Sequence, residues 1–184
     1  MLKIKHKLLI IILLIANLSL HAQDTVKVDN NNFSDYEKVK SIKNSFVSED
    51  IIEIWEYKNL KLEKAILKNS SGTILAKAIR FNANNADGKI KLIQDREYRY
   101  LDINEIDSLI FALERFVKLK SEKPYENEQT LTYVSKGDIY AGCYMKRNRW
   151  RCIITIEPGR LFLSTNFKKD GLEEMINVLK INNE

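Results

Sequence analysis

The sequence of 184 residues carries 30 Lys and Arg against 25 Asp and Glu, a formal charge of +5, with two cysteines and two histidines. Both histidines (His6, His21) and three of the lysines (Lys3, Lys5, Lys7) lie in the first 22 residues, so a chain cut after Ala22 keeps 27 basic and 25 acidic groups, a net +2, and no imidazole. That composition excludes histidine bases, Ser-His-Asp and Cys-His arrangements and His-ligated metals, and it leaves no electrostatic demand for a polyanionic partner.

Residues 1–22 read as a signal peptide. Three lysines precede an unbroken apolar run, Leu8 to Ile15, and Leu20 and Ala22 occupy the −3 and −1 positions of a cleavage site before Gln23. The run falls short of the roughly 20 residues that a membrane span needs. No cysteine follows it to take a lipid anchor. The expectation is a periplasmic or secreted protein with no transmembrane segment in the mature chain. A mature chain of 162 residues suits one domain.

Residues 23–49 form an N-terminal arm. DTVKVDNNNF is polar, and SDYE at 34–37 matches a capping box, with Ser34 as N-cap and Glu37 three residues on. Tyr36, Val39, Ile42 and Phe46 then allow a short helix; a strand over 39–47 is the competing reading.

Residues 50–122 read as a first sheet-plus-helix module. IIEIWEY, LKLEKAIL, TILAKAIRF, KIKLI and REYRYL are strand-like, parted by Asn59, NSSG and NANNADG. Setting Gly88 at the invariant glycine of a calcium loop puts Ala83 and Gln94 where acids are needed, so a turn at Asp87-Gly88 remains. Asp102 and Glu105 are read as a capping box for a helix whose apolar stripe is Ile106, Leu109, Ile110, Leu113 and Val117.

Residues 123–184 read as a second such module. Ile139, Ala141, Cys143 and Met145 alternate with Tyr140, Gly142 and Tyr144, and Trp150, Cys152, Ile154 and Ile156 alternate with Arg151, Ile153 and Thr155. A two-residue turn at Arg147-Asn148 sets Met145 against Trp150, Cys143 against Cys152, Ala141 against Ile154 and Ile139 against Ile156. A slip of one residue would turn an apolar set to the wrong side. A Lys136-Gly137 turn places Val134 opposite Ile139. A Pro158-Gly159 turn places Leu161 opposite Ile156 and Leu163 opposite Ile154. Leu172, Met175, Ile176 and Leu179 make the stripe of a closing helix. The fold class is therefore α+β, with two antiparallel meanders each followed by a covering helix in one domain.

The HAQ ending of the leader, EYKNLKL, and YVSKGDIYAGCY followed by a Trp-bearing strand resemble a family of small exported proteins of Bacteroidetes-type bacteria. The resemblance implies compartment and fold, and no activity. In topology alone, the doubled strands-then-helix order is also similar to Whirly and PUR-type binders of single-stranded nucleic acid, a likeness that does not carry function.

Two features could bind something. Lys146, Arg147, Arg149 and Arg151 flank Trp150 near Tyr144, a set able to grip nucleic acid, anionic glycan or lipid headgroups. The competing structural reading puts Trp150 on the apolar face and Arg151 over Tyr144 in a cation–π contact. The second face of the meander carries Tyr133, Tyr140, Tyr144, Arg151, Ile153 and Phe162. It either packs on the N-terminal half, the reading we favour, or is a binding surface. The candidate surface is thus Tyr140, Tyr144, Lys146, Arg147, Arg149, Arg151 and Phe162. No catalytic or metal-ligating residue stands out and no cofactor is implied. A carboxylate-based hydrolase needs two facing acids about 5–10 Å apart, and no such pair can be singled out. The reading is an exported, non-enzymatic module that binds a protein or an envelope component. The alternatives are a polyanion binder working through 146–151 and a hydrolase.

Because the 143/152 pair falls at a non-hydrogen-bonded position of the ribbon, where opposed residues lie closest, and export supplies an oxidising space, a Cys143–Cys152 disulfide is predicted. The intact mass of the purified mature chain should rise by two hydrogens on reduction; an unchanged mass would mean free thiols.

Overall fold

The computed structural model describes residues 33–42, 45–83, 97–122, 130–156 and 164–183. After a short helix α1 (Asp35–Lys40), strands β1 (Val47–Tyr57), β2 (Leu60–Asn69), β3 (Ile74–Ala83) and β4 (Glu97–Asp102) form one antiparallel sheet in chain order. A 3₁₀ turn (Ile103–Glu105) leads into α2 (Ile106–Ser121). Strands β5 (Thr130–Val134), β6 (Tyr140–Lys146), β7 (Arg149–Thr155) and β8 (Ser164–Phe167) form the second antiparallel sheet, again in chain order, followed by α3 (Lys169–Ile181). The α+β class with two meanders, each followed by a helix, is what the patterning predicts. KIKLI, the Asp87-Gly88 turn, the Pro158-Gly159 turn, Leu161, Phe162, Leu163 and the leader lie outside the described residues.

The central hairpin adopts the expected register, with Met145 opposite Trp150, Cys143 opposite Cys152 and Ala141 opposite Ile154. Arg147 and Asn148 both take left-handed φ angles, 50° and 57°, as a two-residue turn matched to strand twist requires. Cys143 and Cys152 are disulfide-bonded, with their Cα atoms 4.0 Å apart. Both are fully buried.

Two registers differ from the expectation. Val134 faces Tyr140, not Ile139. The β5–β6 connection is a three-residue loop, Lys136-Gly137-Asp138: Ser135 donates its N–H to Ile139 O (3.0 Å), Asp138 N–H reaches Ser135 O (3.2 Å), and Asp138 takes φ 60°. Gly137 is there for close approach, since a Cβ would sit 2.2 Å from the Tyr100 carbonyl oxygen. The one-residue slip turns Tyr133 to the side of Ala141 and Leu131 to that of Cys143, and leaves Val134 exposed. On the other side, Ile154 faces Thr165, not Leu163, and Phe167 supplies the apolar partner of Cys152.

One continuous core joins both sheets and both long helices. It contains Leu60, Leu62, Ile79, Phe81 and Leu101 from the first sheet, Ile139, Ala141, Cys143, Cys152 and Ile154 from the second, and the stripes of α2 and α3. The α3 stripe is buried as expected; in α2 Phe116 is buried and Val117 only partly so. The two helices pack on each other, α2 approaching β5 to β7 and α3 approaching β1 and β8. Tyr57 and Phe167 stack at 4.9 Å between ring centroids and tie β1 to β8. Each large apolar side chain withdrawn from water contributes about 1.5–3 kcal/mol, so this shared core dominates stability.

A second apolar cluster lies on the opposite face of the first sheet. There Ala65, Leu67, Ala78 and Tyr100 pack under Tyr36 of α1. Side chains alternate along a strand, so Leu60 and Leu62 serve the main core while Ala65 and Leu67 serve this one. The capping box of α1 is present, with Ser34 N–H to Glu37 Oε2 (2.9 Å) and Glu37 N–H to Ser34 Oγ (3.2 Å). The helix stops at Lys40; Ile42 and Phe46, expected on its stripe, are exposed.

Gly171, in the first turn of α3, meets the Tyr57 ring: a Cβ would lie 2.6 Å from Cε2. Gly171→Val should therefore cost about 1–3 kcal/mol by overpacking, read from urea unfolding. The cost should shrink in a Tyr57→Ala background; an undiminished cost would place the clash elsewhere.

Candidate functional site

The hairpin that drew attention in the sequence is split by the fold. Lys146, Arg147, Arg149 and Arg151 are exposed, but Trp150 points into the core. Arg151 is the cross-strand neighbour of Tyr144. The expected cation–π contact between them does not form; among the described residues the cations lying over rings are Lys40, Lys58, Arg80 and Arg115. Tyr140 folds back over Gly142, whose Cβ would be 2.8 Å from the ring, and its hydroxyl meets Thr132 Oγ1 at 3.2 Å. Tyr140, Tyr144 and Ile153 are half-buried and belong to neither apolar cluster. Among the described residues the second face of the meander is therefore not packed on the N-terminal half, contrary to the favoured reading, and Tyr133 has left it.

The acids at 102–105 do something other than cap their own helix. Asp102 makes no side-chain cap bond there. Its carboxylate accepts instead from the amides of Asp35 (2.7 Å) and Tyr36 (3.0 Å), and so caps α1. Glu105 Oε1 accepts from Lys136 N–H (2.9 Å), fastening the β5–β6 loop. Both acids bind amides distant in sequence, which local spacing could not reveal.

Sequence reasoning missed a polar cluster around Glu49. Its carboxylate accepts from Tyr100 Oη (2.7 Å), Tyr36 Oη (3.0 Å) and Lys40 Nζ (2.6 Å). Burial pushes the Glu49 pKa up, but the hydrogen bonds from Lys40, Tyr100 and Tyr36 outweigh it, and the net shift is downward. Burial, and then the bond to Glu49, raises both tyrosine hydroxyls well above their ordinary range. The cluster fastens α1 to the sheet. Glu53 and Glu63 face each other across β1 and β2, but Lys61 holds the first (2.8 Å) and Arg80 the second (2.7 Å). Among the described residues no group of three or more His, Cys, Asp or Glu could hold a metal ion.

A concavity lies between α2 and β5. It encloses about 670 Å³ and is lined by Asp107, Phe111, Ala112, Arg115 and Phe116 of the helix and by Leu131, Thr132 and Tyr133 of the strand. Three successive strand residues point to alternate faces, so a groove touching all three follows the strand's backbone edge. Among the described residues β5 pairs only with β6. Ser135 N–H bonds to Ile139 O, and antiparallel pairs alternate. Leu131 and Tyr133 therefore bond inward to β6, while Thr130, Thr132 and Val134 present N–H and C=O outward. Phe111 is 62% exposed. Arg115 lies over the Phe111 ring (5.9 Å) and has no carboxylate partner among the described residues. The sequence held a signal for this groove: Phe111 is a large apolar residue off the buried stripe of its helix.

Comparison with protein-family models and with curated proteins returns no match, so function is argued from this geometry. No described helix is long and apolar enough to cross a membrane. The disulfide is compatible with an oxidising compartment.

A carboxylate whose folded pKa lies below its ordinary value of 4.5 stabilises the fold fully above that value. The contribution fades as pH falls through the lowered folded pKa. Urea midpoints should therefore drop on acidification below about pH 4.5, and Glu49→Gln should flatten that drop. At neutral pH the same substitution should cost about 1.5–3 kcal/mol for the lost charged hydrogen bonds. An acid limb identical to wild type would show that Glu49 is not its source.

Proposed function

We propose that this is an exported, non-enzymatic interaction module that captures an extended segment of a protein partner on the free edge of β5. The edge of β5, unpaired among the described residues and beside an apolar groove, carries this reading. The outward N–H and C=O of Thr130, Thr132 and Val134 would add a strand, and the groove would take its alternate side chains. Dimensions agree: Asp107 and Arg115 are eight helical steps apart, about 12 Å, and four residues of an added strand cover about 13 Å. The bound segment would place apolar side chains on Phe111, Ala112 and Leu131 and an acidic group near Arg115. The leader at 1–22, cleaved after Ala22, would deliver the protein to the periplasm or beyond. The reading needs no cofactor, and the cross-strand carboxylates Glu53 and Glu63 are engaged by Lys61 and Arg80. A polyanion binder working through 146–151 has four exposed cations in its favour, but Trp150 is withdrawn into the core and the aromatic group left beside them is the half-buried Tyr144.

The test is selection of peptides from a random display library, followed by calorimetry. Thr132→Pro removes an outward N–H without breaking a bond to β6. Phe111→Asp changes the groove wall. Both variants should weaken selected peptides at least tenfold while thermal unfolding stays near wild type. Peptides that bind both variants as tightly as wild type would sink the proposal.

A further inference from the structure

The outer strands of the two sheets are not alike. β1 carries Glu49, Asp50, Glu53 and Glu56 and a register shift between Glu53 and Trp55, β4 carries Glu97, Arg99 and Asp102, and β8 has four residues. Charge, bulges and brevity are the devices that keep an edge from pairing with another chain. β5 holds no charge and no proline, pairs with β6 without a register shift, and leaves Val134 55% exposed. We infer that a second copy of this chain pairs with the β5 edge about a two-fold axis and so masks the capture site; the masking rests on the reading above, the dimer does not.

The edge is complementary to itself. Lys136 N–H bonds to Glu105 Oε1 (2.9 Å), so the Val134 end of β5 lies by the start of α2 and the Thr130 end lies toward Arg115. Thr130, Thr132 and Val134 turn their N–H and C=O groups outward. An antiparallel copy centred on Thr132 sets Thr132 against the partner's Thr132 and Thr130 against the partner's Val134, each pair exchanging both backbone bonds. On the helix side, Leu131 meets the partner's Tyr133, an apolar cross-strand pair.

The charges then match. Asp107 and Arg115 lie about 12 Å apart along the helix, and Thr130 and Val134 about 13 Å apart along the strand. Rotation about Thr132 brings Arg115 to the partner's Asp107, and Asp107 to the partner's Arg115. Phe111, midway between them and 62% exposed, meets the partner's Phe111. Among the described residues Arg115 lies over Phe111 with no carboxylate, and Asp107 accepts from the neutral Asn183 Nδ2 (2.8 Å). Centring the pair on Thr130 would oppose Arg115 to the partner's Arg115. Centring it on Val134 would oppose Asp107 to the partner's Asp107. Like charges across a contact are costly, so charge selects one register. A short strand and one helix face make a small, reversible contact, which a captured segment can displace.

The experiment is sedimentation equilibrium on the full mature chain, with thermal unfolding checked for every variant. Wild type should dimerise reversibly. Asp107→Arg and Arg115→Asp should each weaken dimerisation at least tenfold, because each opposes like charges. Mixed in equal amounts, the two variants should form a heterodimer at least tenfold tighter than either forms with itself, since each cation again faces an acid. Peptides selected as above should dissociate the wild-type dimer. A wild-type monomer at every concentration, charge variants that dimerise as tightly as wild type, or a mixture no tighter than its components overturns the dimer, even if peptides still bind. A dimer that persists with a selected peptide bound overturns the masking. If no peptide is selected while the charge behaviour holds, the capture reading falls, the masking falls with it, and the dimer stands.

Discussion

The packing of α2 against α3 is the contact on which the rest of the molecule depends. Each helix carries a single apolar stripe, Ile106, Leu109, Ile110, Leu113 and Phe116 on one and Leu172, Met175, Ile176 and Leu179 on the other. Each also reaches across to strands of the other half, α2 to β5, β6 and β7 and α3 to β1. Four strands and a helix, twice over, thus make one core and not two, and neither half would bury its apolar face alone. At about 1.5–3 kcal/mol for each large side chain, set against the entropy of ordering both halves, that sharing makes the fold worthwhile.

The same contact places two concavities. Held on the second sheet, α2 turns its outer face, with Phe111 and Arg115, toward the edge of β5, and a groove results. The far end of α2 arrives beside the start of α3, and Lys120 joins Lys168 and Lys169 there. One helix thus contributes apolar surface at its beginning and charge at its end. Neither concavity could be assembled from a single module.

What could be read beforehand was whatever has a short period. Alternation set the β6–β7 register and opposed the two cysteines, 3.6-residue spacing found both long helices, and a four-residue motif found the cap at Ser34. What could not be read depends on residues distant in sequence. Gly137 looked like a turn glycine, yet it is small because Tyr100 O is pressed against it, and the loop it serves slips β5 by one residue. Asp102 and Glu105 matched a capping box in spacing, but their oxygens are taken by amides of residues 35, 36 and 136. Glu49 carries no local motif; two tyrosines, one of them 51 residues away, make it a tie point.

The first sheet has a property seldom needed in a meander of its size: β2, β3 and β4 contribute side chains to one cluster from one face and to another from the reverse face. Such strands are clamped from both sides at different points along their length. Loosening either clamp exposes backbone that the other still holds, so partial opening gains little freedom. Residues 60–69 should then be the slowest in the chain to trade their amide protons for deuterium, a pinned spine about which the remaining elements fray.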